Sequence, residues 1–189
     1  IIVGTTLAAR VRGLIAICRP IMHYGTLAAC VATPYIGGFL GSSVVRRNME
    51  WYRSLKRPLH APPEWIFAPA WSILYGCMGT ASYLIIKEAG QQDVRIPIAV
   101  YGANLLLNFS WTPVFFGLHR LKTSVAIIVG TTLTAFGCHY LFHKVNPTAG
   151  LLMLPYVIWL LFASSVNIGT ARLNSPPTKE EEEEKNRPS

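Results

Sequence analysis

The sequence predicts an all-α membrane protein, a bundle of five transmembrane helices. The 189 residues are 51% hydrophobic and only 14% charged, whereas soluble domains come close to a quarter charged. Mean hydropathy is +0.36. Five stretches lack Asp, Glu, Lys and Arg: Pro20–Val45, Trp65–Ile86, Ile96–His119, Thr123–His143 and Val145–Ala171. Each reaches the roughly 20 residues a helix needs to cross a hydrocarbon core. These features exclude a disordered chain, a disulfide-stapled secreted module and a conventional water-soluble enzyme. Helices are predicted rather than strands because open strands leave backbone groups unpaired in lipid, and apolar runs this long exceed barrel strands.

Residues 1–19 are expected to lie outside the bundle. Arg10, Arg12 and Arg19 interrupt this segment, and no acid precedes Glu50. Arginine without acid is one mark of a mitochondrial address, but the serine that usually accompanies it is missing. Ile1–Leu7 (IIVGTTL) repeats Ile127–Leu133, far less than a structural unit, so it reads as a local duplication. Residues 20–172 form the five-helix domain.

In the first span, Gly37 and Gly41 form a GxxxG, and Gly76, Gly79 and Ala81 supply small residues in the second. Close helix approach is the main use of such faces, and a homodimer interface is the other. Pro62-Pro63-Glu64 marks the start of the second span, since proline fits a first helical turn and an acid there complements the helix dipole. Pro113 and Pro155 fall inside the third and fifth spans and should kink them, which is commoner beside a cavity than in a plain anchor. From Ser175 the chain reads SPPTKEEEEEKNRPS. Residues 173–189 are therefore expected to be a solvated, disordered tail.

Five spans put the ends of the chain on opposite sides. One side carries six basic residues (Arg10, Arg12, Arg19, Lys87, Arg95 and Lys144). The other carries eleven, in the Arg46–Arg57 loop, the Arg120–Lys122 loop and the tail from Arg172. Basic loops stay cytoplasmic, so the first loop and the carboxyl end belong in the cytosol. The net charge of +8 thus sits at span ends, facing lipid headgroups rather than nucleic acid.

No catalytic signature is present. The spans hold no Asp, Glu, Lys or Arg, the charged residues that intramembrane catalysis or ion conduction usually requires. Cys18, Cys30, Cys77 and Cys138 are isolated, suggesting neither disulfides nor a zinc site. His139 and His143 stand four apart without the glutamate of a metalloprotease helix, and read as interfacial histidines rather than metal ligands. The spans do contain aromatic residues: Trp65, Phe67, Trp71 and Tyr75 in the second, Trp111 in the third, and Tyr156 and Trp159 in the fifth. Asn104, Asn108 and Trp111 follow i, i+4, i+7. Such a stripe serves packing or an interfacial belt as readily as a ligand. The two amides must find partners inside the bundle or on a ligand.

Trp51–Glu88 (WYRSLKRPLHAPPEWIFAPAWSILYGCMGTASYLIIKE), Asn108-Phe109-Ser110-Trp111, Phe115-Phe116-Gly117, and Leu154-Pro155-Tyr156 with Trp159 and Ala163 resemble the translocator protein family. This family is also called tryptophan-rich sensory proteins or peripheral-type benzodiazepine receptors. The likeness covers about Thr26 to Asn174. It implies five transmembrane helices around a pocket closed by the first loop, and residence in the mitochondrial outer membrane with a cytosolic carboxyl terminus. The implied ligands are porphyrins such as protoporphyrin IX or haem, cholesterol and synthetic lipophiles, with no required cofactor. The implied ligand-binding residues are Val45, Phe67, Ala68, Ala70, Trp71, Asn104, Trp111, Trp159, Ala163 and Val166. Asn104 stands where animal relatives often have glutamine, His60 replaces an aromatic, and Thr123 replaces a tryptophan, giving a more polar rim. The sterol motif of the last helix retains Val166 and Arg172 but has Ile168 in place of its tyrosine. The implied function is a receptor or translocator of porphyrins and other lipophilic molecules. The alternatives are a cholesterol transporter and a light-dependent porphyrin-degrading enzyme.

Overall fold

The computed structural model describes the backbone of residues 2–175 and the side chains of residues 23–175. The expectations for the 173–189 tail beyond Ser175, for Cys18 and for the side chains of the Ile1–Leu7 repeat lie outside the described residues. Within them the chain is helical without strands: α1 (Ile2–Arg47), α2 (Met49–Ser54), α3 (Glu64–Lys87), α4 (Arg95–Thr112), α5 (Leu121–Val145) and α6 (Pro147–Leu173). The helices number six rather than five because the 6-residue α2 forms inside the first loop, far too short to cross a bilayer.

Length and apolarity qualify three segments as membrane spans: His23–Arg47, Leu121–Val145 and Pro147–Leu173. The predicted five-span count therefore goes beyond what these two criteria establish. The other two long helices, α3 and α4, carry Trp71, Tyr75, Tyr101, Asn104, Asn108 and Trp111. These polar-tipped side chains lower the average hydropathy of the helices that bear them.

Local chemistry sets the helix ends. Pro63 precedes α3 with Glu64 in its first turn and Lys87 in its last, complementing the dipole at both ends. Asn146 alone joins α5 to α6, and its side chain accepts from the Ala149 amide at 3.2 Å, a standard N-cap with proline following at the first helical position. A connection this short forces the two helices to be antiparallel neighbours. After α4, Pro113–Gly117 forms a single wide turn, with the Leu118 amide reaching back to the Pro113 carbonyl at 2.9 Å. Pro113 thus distorts its helix as predicted, and Pro155 lies inside the continuous helix α6.

The long helices close into a ring in the order α1, α3, α6, α5, α4 and back to α1. Gly79 permits the tightest α1–α3 approach, since a Cβ there would stand 2.5 Å from the Val31 Cα. Gly37 and Gly41 face Phe109 and Thr112 of α4, so this small-residue face is occupied within the chain. One end of the bundle, near the α5–α6 joint, is solid: Met78, Ile85, Cys138, Phe142, Ala149 and Met153 are fully buried. Leu106, Leu133 and Ile158 point outward, the pattern of a lipid-facing girdle. The other end, under the first loop, is hollow.

Candidate functional site

The hollow end holds a cavity of about 540 Å³ bounded by all five long helices, within the size range of small-molecule sites. Its walls are aromatic. On α3, Trp71 leans on Tyr75 with ring centroids 5.2 Å apart, and Phe67 meets Trp159 of α6 edge-on at 6.0 Å. On α4, Trp111 stacks on Phe115 at 4.8 Å, and Phe116 packs edge-on to both. The wide turn at Pro113 positions this pair, because its i→i+5 bonding changes the helical phase and turns Phe115 and Phe116 inward, where both are buried.

A buried chain of hydrogen bonds crosses the floor. The Tyr75 hydroxyl donates to Asn108 Oδ1 at 3.4 Å, Asn108 Nδ2 donates to the Tyr156 hydroxyl at 3.1 Å, and that hydroxyl donates to Asn104 Oδ1 at 3.1 Å. Asn104 Nδ2 then donates to the Thr131 carbonyl and to Thr134 Oγ1, each at 2.9 Å. Four helices are tied by this chain, and fully satisfied networks of this kind specify one packing. On the opposite wall, Trp111 Nε1 donates to Asn167 Oδ1 at 3.0 Å, and Asn167 Nδ2 donates to Ser124 Oγ at 3.1 Å. The Trp159 indole N–H is different: it is buried and has no acceptor among the described residues.

The first loop roofs the cavity. Arg53 grips Glu64 with Nη2 at 2.9 Å from Oε2 and Nε at 3.3 Å from both oxygens, while Arg57 lies 3.9 Å from Oε1 and over the Tyr52 ring. The Arg53 hydrogen bond holds the Glu64 carboxyl below its usual range and raises the guanidinium above its own. The Asn174 side chain clasps the loop backbone, accepting from Lys56 N at 3.1 Å and donating to Lys56 O at 2.8 Å. Trp51 stacks face to face on His119 at 3.9 Å. His119 adopts the left-handed conformation, φ 55, and its Nε2 meets Asn48 Oδ1 at 3.1 Å.

Of the residues expected to bind ligand, Val45, Phe67, Ala68, Trp71, Trp111, Trp159, Ala163 and Val166 line this one cavity. Ala70 and Asn104 do not. Asn104 is fully buried with its amide committed to the floor network, so it cannot orient a ligand carbonyl without breaking those bonds. Arg172 lies in the last turn of α6, away from the cavity lining. Trp65, in the same aromatic stripe as Trp71, is 73% exposed and points outward. Tyr52, Phe115, Phe116, Asn167, Arg46 and Glu64 line the cavity without having been expected there. The Phe115-Phe116-Gly117 match was the available signal for the two phenylalanines. His139 Nδ1 meets the Gly150 carbonyl at 2.9 Å, and no metal-binding cluster exists among the described residues.

Asn104→Leu is expected to destabilise the bundle by about 2 kcal/mol, since its buried hydrogen bonds vanish without replacement, and to leave unchanged the affinity for any molecule held in the cavity. Denaturation midpoints and ligand titration of the purified variant check both halves. Weakened binding at unchanged stability would instead put Asn104 in contact with ligand.

The TspO/MBR family profile matches residues 30–173. The Translocator protein of Bos taurus is 39% identical over 137 residues, covering 71% of this chain and 81% of that protein. The Tryptophan-rich sensory protein of Cereibacter sphaeroides is 35% identical over 148 residues, 78% of this chain and 88% of that one. The Tryptophan-rich protein TspO of Archaeoglobus fulgidus is 34% identical over 159 residues, 82% of this chain and 100% of that one.

Proposed function

Because the chain belongs to the TspO/MBR family of membrane proteins, we propose that it is a receptor or carrier holding porphyrins and other flat lipophilic molecules in the cavity under the first loop. All five long helices cross the bilayer in this reading, with the first loop and carboxyl end in the cytosol, and the membrane is the mitochondrial outer one. The ligand rests against Trp71, Trp111 and Trp159, whose indoles offer broad apolar faces to a macrocycle.

The aromatic wall carries the reading. Trp71, Trp111 and Trp159, brought from three different helices, line one cavity of about 540 Å³. Their indoles offer apolar faces wide enough for a flat lipophilic ligand. The relatives are named for translocation and sensing, and Glu64, the one carboxylate at the cavity among the described residues, is neutralised by Arg53. Both favour binding over catalysis.

The test is tryptophan-fluorescence titration of the detergent-solubilised protein with protoporphyrin IX and with cholesterol. Saturable quenching by porphyrin at lower concentration than any cholesterol response is expected. Tighter cholesterol binding, with sterol photolabelling near Arg172, would establish the sterol reading instead. Light-dependent conversion of bound porphyrin would make the protein an enzyme.

A further inference from the structure

We propose that Arg46 is an anion anchor at the mouth of the cavity, so that the ligand is an amphiphile whose flat apolar body fills the aromatic chamber and whose carboxylate meets this guanidinium. The inference rests on the cavity reading above and adds the charge of the ligand to it.

Among the described residues, only two side chains lining the cavity carry a full charge, Arg46 and Glu64. Glu64 is already answered by Arg53 and Arg57. Arg46 makes no ion pair among the described residues. Its Nη1 donates to Ser42 Oγ at 3.1 Å, and Ser42 is itself a cavity residue, so the guanidinium is held along the wall. A guanidinium offers five N–H donors in a planar fork matched to a carboxylate, and one is engaged here. Capping the carboxyl end of α1 against its dipole explains Arg46 and Arg47 equally, for both lie in its last turn. Only Arg46 lines the cavity. With Arg53 and Arg57 outnumbering Glu64 nearby, the rim is cationic over an apolar interior, an arrangement that concentrates anions at its opening. Arg46 is exposed at the mouth, so water solvates it in the free protein; a neutral ligand gains nothing from it, whereas a carboxylate on an apolar body pairs with it.

The experiment uses the full chain in neutral detergent micelles and two acid–ester pairs: protoporphyrin IX with its dimethyl ester, and pyrenebutyrate with its methyl ester. Arg46→Gln should weaken both acids about tenfold and leave both esters unchanged. Arg46→Lys should retain most of the affinity for the acids. Arg47→Gln, which removes the same charge one residue away, should change nothing. Equal weakening of acids and esters by Arg46→Gln, or equal effects of Arg46→Gln and Arg47→Gln, would overturn the proposal. Displacement of pyrenebutyrate by an added anionic phospholipid would also overturn it, assigning the guanidinium to headgroups. If neither porphyrin binds but pyrenebutyrate does so in an Arg46-dependent way, the porphyrin reading fails and the anchor stands. A pyrene pair with no preference for the acid, or no binding at all, refutes the anchor whatever the porphyrins do.

Discussion

Gly79→Leu is expected to destabilise the bundle by about 3 kcal/mol or more, the upper range for forcing side-chain volume into a packed contact. A Cβ at this position meets the Val31 Cα at 2.5 Å and the Cys30 carbonyl oxygen at 2.8 Å. Both obstacles are backbone, so no rotamer change makes room and α1 must separate from α3. Gly76, one turn earlier on α3, provides the control. A Cβ there has only the Tyr35 hydroxyl, at 3.4 Å, and Gly76→Ala should stay within about 0.5 kcal/mol of the parent. Thermal and denaturant midpoints in detergent measure both. A Gly79→Leu protein as stable as Gly76→Ala would contradict the described α1–α3 contact.

On the proposed porphyrin reading, Trp111→Ala is expected to reduce porphyrin affinity about tenfold or more, because it removes a cavity-lining indole and unseats its neighbour. An aromatic contact is worth about 0.5–1.5 kcal/mol beyond the area it covers, and every 1.4 kcal/mol is roughly tenfold in binding. The indole also stacks on Phe115 and donates to Asn167, so the wall loses both its surface and its tie to α6. Trp111→Phe retains a ring but not the hydrogen bond, and should fall between parent and alanine. Trp51 is the comparison, since it packs on His119, Phe115 and Phe116 outside the cavity lining. If Trp51→Phe weakened binding more than Trp111→Phe in folded protein, the aromatic wall would be packing and not a ligand surface.

The helices were readable from the sequence because apolar runs without charges have few other homes. Their limits were less so. Charges at Arg10, Arg12 and Arg19 end an uncharged run without ending a helix, and α1 continues through them to Ile2. Nothing in Met49–Ser54 (MEWYRS) distinguishes one short helix from a loop, yet α2 forms there and buries Tyr52. The same bias toward uncharged stretches hid Arg46 and Glu64, which stand where such runs stop and where the cavity opens. The tryptophans were legible through motif spacing, but their directions were not. Trp65 and Trp71, six residues apart, fall on different faces of α3, one exposed and one lining the cavity. Asn104 and Asn108 share a face, and spacing alone could not show that Asn108 reaches the cavity while Asn104 is consumed by Thr131, Thr134 and Tyr156.

The Asn174 clasp also bears on how the protein is made. It joins positions 118 residues apart, whereas α5 and α6 meet across the single residue Asn146. Local pairs form early, and distant ones wait for the chain to exist. The hairpin of the last two helices can therefore assemble during synthesis, while the clasp forms only once Asn174 has emerged; before that the roof has local contacts such as Arg53–Glu64. Two hydrogen bonds worth about 1 kcal/mol each latch the finished roof lightly, so a copy can still exchange its contents after synthesis, and affinity decides what it carries.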